Sequence, residues 1–462
     1  MFLYPKNRGS DGFFFTRAFA SLGLMISLLA PCVGQEILLK ARDHAGATLR
    51  VKTAVEVAGS LKAKSQADDT ATGIPVKVDA EMIYDELGVA NAGLVSLRHY
   101  WKAEAALDVN KSEQQRALRT DRNLILLSAG SASSDRITSP RGALLRSELE
   151  LLDVPATVFP PERLLPTKPV SKDETWSHND EVLAELLRLQ SVTSNEVTSA
   201  VTEVTDAVAK IKLSGKLQGK VDGVSTKIQL VGNYHFDRRN KIVSWIAIAI
   251  KEDREVGFAA PGFQVTTRVR SVRQALAQSK ALPKSILTGI TISPSDGDRL
   301  LDFVSDDNVF RMMLDRRWHA LSGLDTSTRF RMVEGGDLLA TCKIDQLTRS
   351  VPGKQITLDG FSRDVQQALG KNCQQVVSAG QTVNPNGIRV MRVEAAGNVG
   401  ATPIRWIYYH LSDDTGQRLS YIFTLEASQL DRFAGMDEVM TASVEFLTDV
   451  ERQARASKAL QK

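Results

Sequence analysis

The chain has 462 residues with a formal net charge of +4, and 24% of its residues are charged. It holds no basic stripe or patch of the kind that nucleic-acid-binding domains carry, which excludes a nucleic-acid partner. At 43% hydrophobic residues it can bury proper cores. At ~150 residues per domain, its length predicts two or three domains.

The first 34 residues have the pattern of an export signal. A positively charged stretch, residues 1–17, precedes the uncharged run Ala18–Ala30, and Pro31 ends that run. Signal peptides have apolar cores of about 7–15 residues, whereas a membrane-spanning helix needs about 20. We therefore expect a cleaved signal peptide, with cleavage after Gly34, and a periplasmic or secreted protein.

Two alternatives for this leader stay open. The segment could be retained as an uncleaved helical anchor. The run Leu29-Ala30-Pro31-Cys32 also resembles a bacterial lipoprotein box, and that resemblance implies a lipid on Cys32. No other stretch approaches 18 apolar residues, so we expect no transmembrane segment in the mature chain.

Residues 36–268 are predicted to form a curved antiparallel β domain. From Ala209 to Val221, apolar or small residues alternate with polar ones, the pattern of a half-buried strand. The following Asp222-Gly223 is a strong hairpin signal, because such turns need positive φ angles. Further strands are expected at residues 48–64, 74–84, 95–109, 228–236 and 242–250.

Two helices are expected within this domain, at residues 141–152 and 180–189. The second can be capped by Asn179 or Asp180. If it packs on the concave side of the sheet, its apolar face and the facing strand would border an apolar groove. The candidate groove-lining residues are Leu183, Leu186, Leu187, Ile211, Leu213 and Leu217.

A linker at residues 269–284, with a short helix at 275–282, is expected to lead to a second domain at residues 285–450. Alternating segments there predict antiparallel strands, with helices at residues 362–378 and 436–446, which is an α+β pattern. A polar tail at 451–462 follows. The predicted fold class is α+β: a β-rich, half-barrel-like sheet followed by a smaller sandwich of antiparallel sheet and helices.

Two cysteines remain in the mature chain, Cys342 and Cys373. In an oxidising compartment they could form a disulfide. Strand alternation places Cys342 on an apolar face, and helical spacing places Cys373 on the apolar face of the helix predicted at residues 362–378. The alternative, which we favour, is two buried free thiols acting as small hydrophobic residues.

Signatures of common enzymes do not occur in the sequence. The six histidines show no metal-ligand spacing, and Gly215–Val221 fails the phosphate-loop pattern because Val221 stands where Ser or Thr must bind magnesium. We expect no cofactor and no metal. On a helix, Asp315 and His319 would share a face and could act as an acid–base pair; the favoured interpretation is a strand with Trp318 in the core.

Several segments resemble known families. The first domain resembles the half-barrel of the LolA/LppX-type periplasmic lipoprotein carriers, which implies acyl chains held inside the sheet. The second domain resembles the PsbP-like α/β/α sandwich. Short runs resemble uncharacterised secreted proteins of planctomycete-like bacteria: Leu165–Val170, Asp173–Trp176, Asp315–His319 and Trp406–Tyr409.

Three functions follow as hypotheses. The first is an extracytoplasmic, non-catalytic protein that binds a lipid, another apolar ligand or an envelope protein partner in the groove. The second is a two-domain envelope scaffold whose helices fill that groove, with no ligand. The third is a hydrolase-type enzyme with a site assembled from dispersed polar residues, for example around His319.

Overall fold

A computed structural model describes residues 36–63, 72–91, 94–128, 136–258, 260–290, 296–321 and 327–453. The predicted signal peptide and most of the predicted polar tail lie outside these ranges. Within them, none of the helices has both the length and the apolar composition needed to cross a membrane. From Glu36 onward the chain forms one compact unit.

The described residues form twenty-four strands and five α-helices. The strands are β1 (Thr48–Ala63), β2 (Thr72–Asn91), β3 (Leu94–Val109), β4 (Ser112–Ala117), β5 (Leu124–Ser128), β6 (Ile137–Thr138), β7 (Leu144–Leu145), β8 (Thr175–Ser177), β9 (Ser191–Asn195), β10 (Thr198–Val204), β11 (Val208–Val221), β12 (Val224–Asp237), β13 (Ile242–Arg254), β14 (Gly262–Leu276), β15 (Leu301–Val304), β16 (Phe310–Leu314), β17 (Trp318–Leu321), β18 (Thr328–Glu334), β19 (Asp337–Leu347), β20 (Cys373–Val383), β21 (Arg389–Val399), β22 (Thr402–Ser412), β23 (Arg418–Glu426) and β24 (Glu445–Phe446). The helices are α1 (Arg146–Leu152), α2 (Asp180–Leu187), α3 (Leu358–Leu369), α4 (Leu430–Phe433) and α5 (Met436–Ala442).

These strands build three sheets. The largest has thirteen strands in the order β6-β5-β3-β2-β1-β14-β13-β12-β11-β10-β8, with β4 added to β3 and β9 added to β11. A seven-stranded sheet has the order β17-β18-β19-β23-β22-β21-β20, and a four-stranded one the order β24-β16-β15-β7. The chain is therefore β-rich with a few helices, which confirms the predicted α+β class.

The alternation read from the sequence sets the orientation of the long strands. Along β11, Ala209, Ile211 and Leu213 are fully buried while the lysines between them are exposed. The hairpin to β12 turns at Asp222 and Gly223, with φ angles of +46° and +74°. Both central residues of the turn thus have positive φ, as two-residue hairpin turns require.

The largest hydrophobic core crosses the predicted domain boundary. It joins Tyr84 and Leu149 from the first predicted domain to Trp318 and Phe423 from the second. A separate core lies between α2 and strands β10–β13. The three sheets therefore meet in one common core, and the large sheet has this second core in addition.

Several predicted elements differ from the structure. The helix expected at residues 141–152 begins only at Arg146, after the short strand β7. Strand β14 runs to Leu276 and pairs with β1 up to Thr48, so strand replaces the start of the predicted linker, and the helix expected at 275–282 is not formed. Helix α3 ends at Leu369 because Gly370 takes a positive φ of +54°, and β20 follows where helix was expected. The last helix, α5, stops at Ala442 and the short strand β24 follows.

Candidate functional site

Helix α2 fills the space where the sequence predicted a groove. Its N-terminus is capped by Asn179, whose side chain accepts a hydrogen bond from the Val182 backbone N–H at 2.9 Å. All six predicted groove-lining residues are 0–2% exposed and pack in one core; they are Leu183, Leu186, Leu187, Ile211, Leu213 and Leu217. They bury each other, and Leu217 also borders an open depression whose other lining residues are, apart from Ile228, polar or charged.

Buried polar groups fix this arrangement. The Tyr234 hydroxyl donates to the Leu164 carbonyl oxygen at 3.0 Å and lies 3.2 Å from Ser199 Oγ. His178 Nε2 lies 2.8 Å from Ser199 Oγ. Burial lowers the pKa of His178 to about 4, so its ring is neutral near pH 7. The core around α2 is thus closed and polar groups within it are paired.

A partly open pocket of about 240 Å³ lies elsewhere on the large sheet, and we call it the Arg42 pocket. Five of its nine lining residues are apolar and four are polar or charged. They are Ala47, Leu49, Val95, Pro160 and Ile242, then Arg42, His44, Glu162 and Arg163. Its volume is slightly below the ~300–1,000 Å³ typical of small-molecule pockets, so the pocket suits a small ligand.

The Arg42 side chain is held at this pocket by its backbone. In the segment before β1, Ile37 forms two backbone hydrogen bonds with Val170, at 2.8 and 3.0 Å. The Arg42 backbone N–H then donates to the Lys241 carbonyl oxygen at 2.9 Å. The Arg42 guanidinium atom Nη2 is buried and has no hydrogen-bond partner among the described residues.

The other full charges at the pocket are already paired. Arg273 Nη1 donates to Glu162 Oε1, and it also donates to the Val243 carbonyl oxygen at 2.9 Å. Arg163 forms an ion pair with Glu185. Of the three arginine and glutamate side chains that line the pocket, Arg42 is therefore the one with an unsatisfied buried donor, and this donor can bind an anion.

A buried ion cluster adjoins the pocket. Arg98 Nε donates to Glu86 Oε2 at 3.0 Å and Arg98 Nη1 to the Thr157 carbonyl oxygen at 2.9 Å. His44 Nε2 lies 3.2 Å from Glu86 Oε1. Burial acts to raise the pKa of Glu86, but the Arg98 charge and the His44 hydrogen bond outweigh it and hold that pKa well below its usual range. His44 thus joins the pocket to this cluster.

A second, much smaller space of about 20 Å³ lies beside the cluster. It shares Val95 and Pro160 with the Arg42 pocket. The Ser96 hydroxyl borders it, is fully buried and has no hydrogen-bond partner in the described part of the chain. A space of this size holds about one water, which would satisfy the hydroxyl.

Sequence reasoning missed these polar residues. The signal available was the two-residue alternation of side chains along a strand. By that alternation Glu86 and Arg98 lie on the same faces of strands β2 and β3 as the buried Tyr84 and Tyr100. Charged residues are almost never fully buried unless they are paired. A charge at an inward position of each of two neighbouring strands therefore indicates a buried ion pair.

The remaining sequence-predicted residues lie apart from the pocket. Cys342 and Cys373 are free thiols in this structure and contact different hydrophobic cores, so the disulfide is not formed. Trp318 is buried in strand β17, which agrees with the favoured interpretation of a strand with Trp318 in the core. Asp315 does not share a helix with His319 and instead accepts from Arg317 Nε at 2.9 Å. No acid–base pair is formed there.

Metal-binding geometry is also missing from the described ranges. No group of three or more His, Cys, Asp and Glu side chains in them could hold a metal ion. The arrangement at the Arg42 pocket offers instead apolar walls, one unsatisfied guanidinium donor and a histidine. This combination can bind a small anion that has an apolar body.

Comparisons with known proteins give weak likenesses. No family model matches the chain, and no curated protein matches it. A solution structure of cyanobacterial PsbP from Synechocystis sp. PCC 6803 matches with 12% identity and a TM-score of 0.26, over 34% of this chain and 98% of that one. The outer membrane protein OprD from Pseudomonas aeruginosa matches with 9% identity and a TM-score of 0.11, over 84% of this chain and 94% of that one. At these TM-scores neither match establishes a shared fold.

Proposed function

We propose that this protein is an exported, non-catalytic binding protein whose Arg42 pocket holds a small ligand with an apolar body and an anionic group. Export rests on the signal-peptide pattern of residues 1–34. The single observation that carries the ligand proposal is the buried, unpartnered Nη2 of Arg42 beside the apolar walls of Leu49, Val95 and Ile242.

The physical reason is the cost of an unsatisfied buried donor. Leaving such a donor without a partner costs ~1–3 kcal/mol, and more for a charged group. A bound carboxylate would remove that cost through a charge-assisted hydrogen bond. The ligand's apolar body would replace water along the pocket walls, each buried CH₂ contributing ~0.8 kcal/mol.

Isothermal titration of the purified mature protein with octanoate tests this proposal, with 1-octanol as the uncharged probe. Octanoate should bind about 10- to 100-fold more tightly than 1-octanol, because a hydrogen bond to a charged group contributes ~1.5–3 kcal/mol. Arg42→Gln should abolish that preference. Lys40→Gln, an exposed cation two residues away, is the matched control and should leave it unchanged.

Native mass spectrometry of the same preparation gives an independent readout. A co-purifying small acid would support the proposal. If no small molecule co-purifies and octanoate binds no better than 1-octanol, the ligand proposal is wrong. N-terminal sequencing tests export separately: a chain starting at Gln35 supports cleavage, and one starting at Met1 or blocked at Cys32 supports a retained or lipid anchor.

A second candidate function is an envelope scaffold without a ligand. The observation that favours it is the closed core around α2, in which Leu183, Leu186 and Leu187 occupy the predicted groove. This scaffold would act through protein contacts alone. A failed octanoate titration in a well-folded protein, together with a protein partner recovered by cross-linking, would favour it over the binding protein.

A further inference from the structure

Strand β20 is an open edge of the seven-stranded sheet. It pairs with β21 on one side and, in the described part of the chain, with no strand on the other. Nine of its eleven residues are exposed and the other two are half-buried. The backbone N–H and C=O groups on its free side are therefore available to another strand.

The composition of β20 gives this edge little protection. Its sequence, CQQVVSAGQTV, contains no Lys, Arg, Asp, Glu, His or Pro. Proteins normally protect edge strands with charge, proline, bulges or short length. Two register shifts, between Cys373 and Gln375 and between Val376 and Ser378, interrupt the first half of β20. The second half, from Ser378 to Val383, has a regular register and carries none of these protections.

Other edges in the same chain do carry such protection. Strand β4, which is exposed at all six positions, contains Glu113 and Arg116. Strand β17, at the opposite edge of the seven-stranded sheet, has only four residues. The contrast indicates that the long, uncharged edge at β20 is a surface for pairing rather than a generic feature of the fold.

We propose that the occupant of this edge is a second copy of the chain, whose β20 pairs antiparallel with the first around a two-fold axis at Gly380. Within the stretch that is regular from Ser378 to Val383, that register places Thr382 of each copy opposite Ser378 of the other, and hydroxyl pairs of this kind stabilise neighbouring strands. Val377 and Val383 lie at the two ends of this stretch. They are exposed large hydrophobic residues, at 44% and 65% exposure.

Charge also favours self-pairing. A two-fold axis places β20 of one copy beside β20 of the other, so identical residues near the axis come close together. A charged residue there would therefore lie near a like charge. The β20 strand presents none from Gln374 to Val383. At the axis itself, a Cβ on Gly380 would meet open space, so this position accepts the side chains that test the register.

Cysteine cross-linking tests the register directly. In a Cys373→Ser background, Gly380→Cys should form a disulfide-linked dimer on mild oxidation, because the two thiols meet at the axis. Thr382→Cys should link far less, because it lies opposite Ser378. The pair Ser378→Cys with Thr382→Cys in one chain should restore linking. Equal linking at all positions, or none, would overturn the proposal.

Analytical ultracentrifugation tests the association itself on the unmodified protein. A concentration-dependent dimer is expected, and Gly380→Lys should weaken it at least ten-fold by opposing two positive charges. The matched control Val399→Lys adds the same charge at an exposed position of β21, which is not an edge strand, and should leave the dimer intact. A monomer at all concentrations, or a dimer insensitive to Gly380→Lys, would overturn the proposal.

Discussion

Arg98 Nε donates to Glu86 Oε2 at 3.0 Å, with the two side chains only 4% and 7% exposed. The guanidinium carbon of Arg98 also lies 4.4 Å from the centre of the Tyr84 ring. Each charge of this buried pair is tolerated because the other is present. The pair connects to the Arg42 pocket through His44, which lines the pocket and contacts Glu86.

Removing Arg98 alone should destabilise the protein strongly. Arg98→Met leaves the buried Glu86 carboxylate without its arginine partner, with only His44 beside it, and breaking a buried pair in this way costs ~3–5 kcal/mol in the free energy of unfolding. Urea unfolding, monitored by tryptophan fluorescence, measures this loss in the free energy of unfolding. The double variant Arg98→Met with Glu86→Leu should recover most of the loss; a double variant as unstable as the single one would contradict the pairing.

Acid should destabilise the protein through His178 between about pH 6.5 and pH 4. Burial lowers the pKa of His178 to about 4, so in this window the unfolded chain binds a proton that the folded chain does not. Stability therefore falls as the pH falls, by up to roughly 3 kcal/mol for this group. Unfolding free energies of the wild type and His178→Gln should converge toward pH 4; parallel pH profiles would contradict this account.

Truncating Leu186 should open a cavity in the core around α2. This side chain is 0% exposed, and Leu→Ala changes in such positions cost ~2–5 kcal/mol. The control on the same helix is Glu181→Ala, whose side chain is 84% exposed, and it should change stability by no more than about 0.5 kcal/mol. Thermal unfolding compares the two; equal effects would show that α2 is not packed as described.

Two glycine turns should be essential where the large sheet meets the seven-stranded one. A Cβ on Gly223 would lie 2.4 Å from the Gly335 carbonyl oxygen and 2.5 Å from Gly336 Cα. Gly223→Ala should therefore cost more than the ~1–2 kcal/mol of left-handed strain alone. Gly353→Ala, also at positive φ but facing open space, isolates that strain. Chemical denaturation measures both, and equal losses would contradict close turn–turn contact.

The sequence was informative wherever structure is local. Strict alternation from Ala209 to Val221 predicts strand β11, since one face is buried and the other exposed, and Asp222-Gly223 predicts the turn that follows it. It was misleading at Cys373, because apolar residues at Phe361, Val365 and Leu369 continue at helical spacing to Val376. Gly370 ends the helix in spite of this spacing, and a strand follows from Cys373.

The Arg42 pocket was beyond sequence reasoning for a different reason. Its residues come from the segment before β1, from β1 itself, from β3, from residues 160–163 between α1 and β8, and from β13. Only long-range strand pairing brings them together. The Arg273–Glu162 hydrogen bond alone joins positions 111 residues apart. No local pattern marks such a site, although inward-facing charges at Glu86 and Arg98 indicate that one exists.

A crystal structure of the mature protein soaked with octanoate tests the central claim most directly. The account predicts ligand density inside the Arg42 pocket, with a carboxylate oxygen within hydrogen-bond distance of Arg42 Nη2 and the alkyl chain against Leu49, Val95 and Ile242. An empty pocket at saturating octanoate, or a ligand bound with its carboxylate away from Arg42, would contradict it.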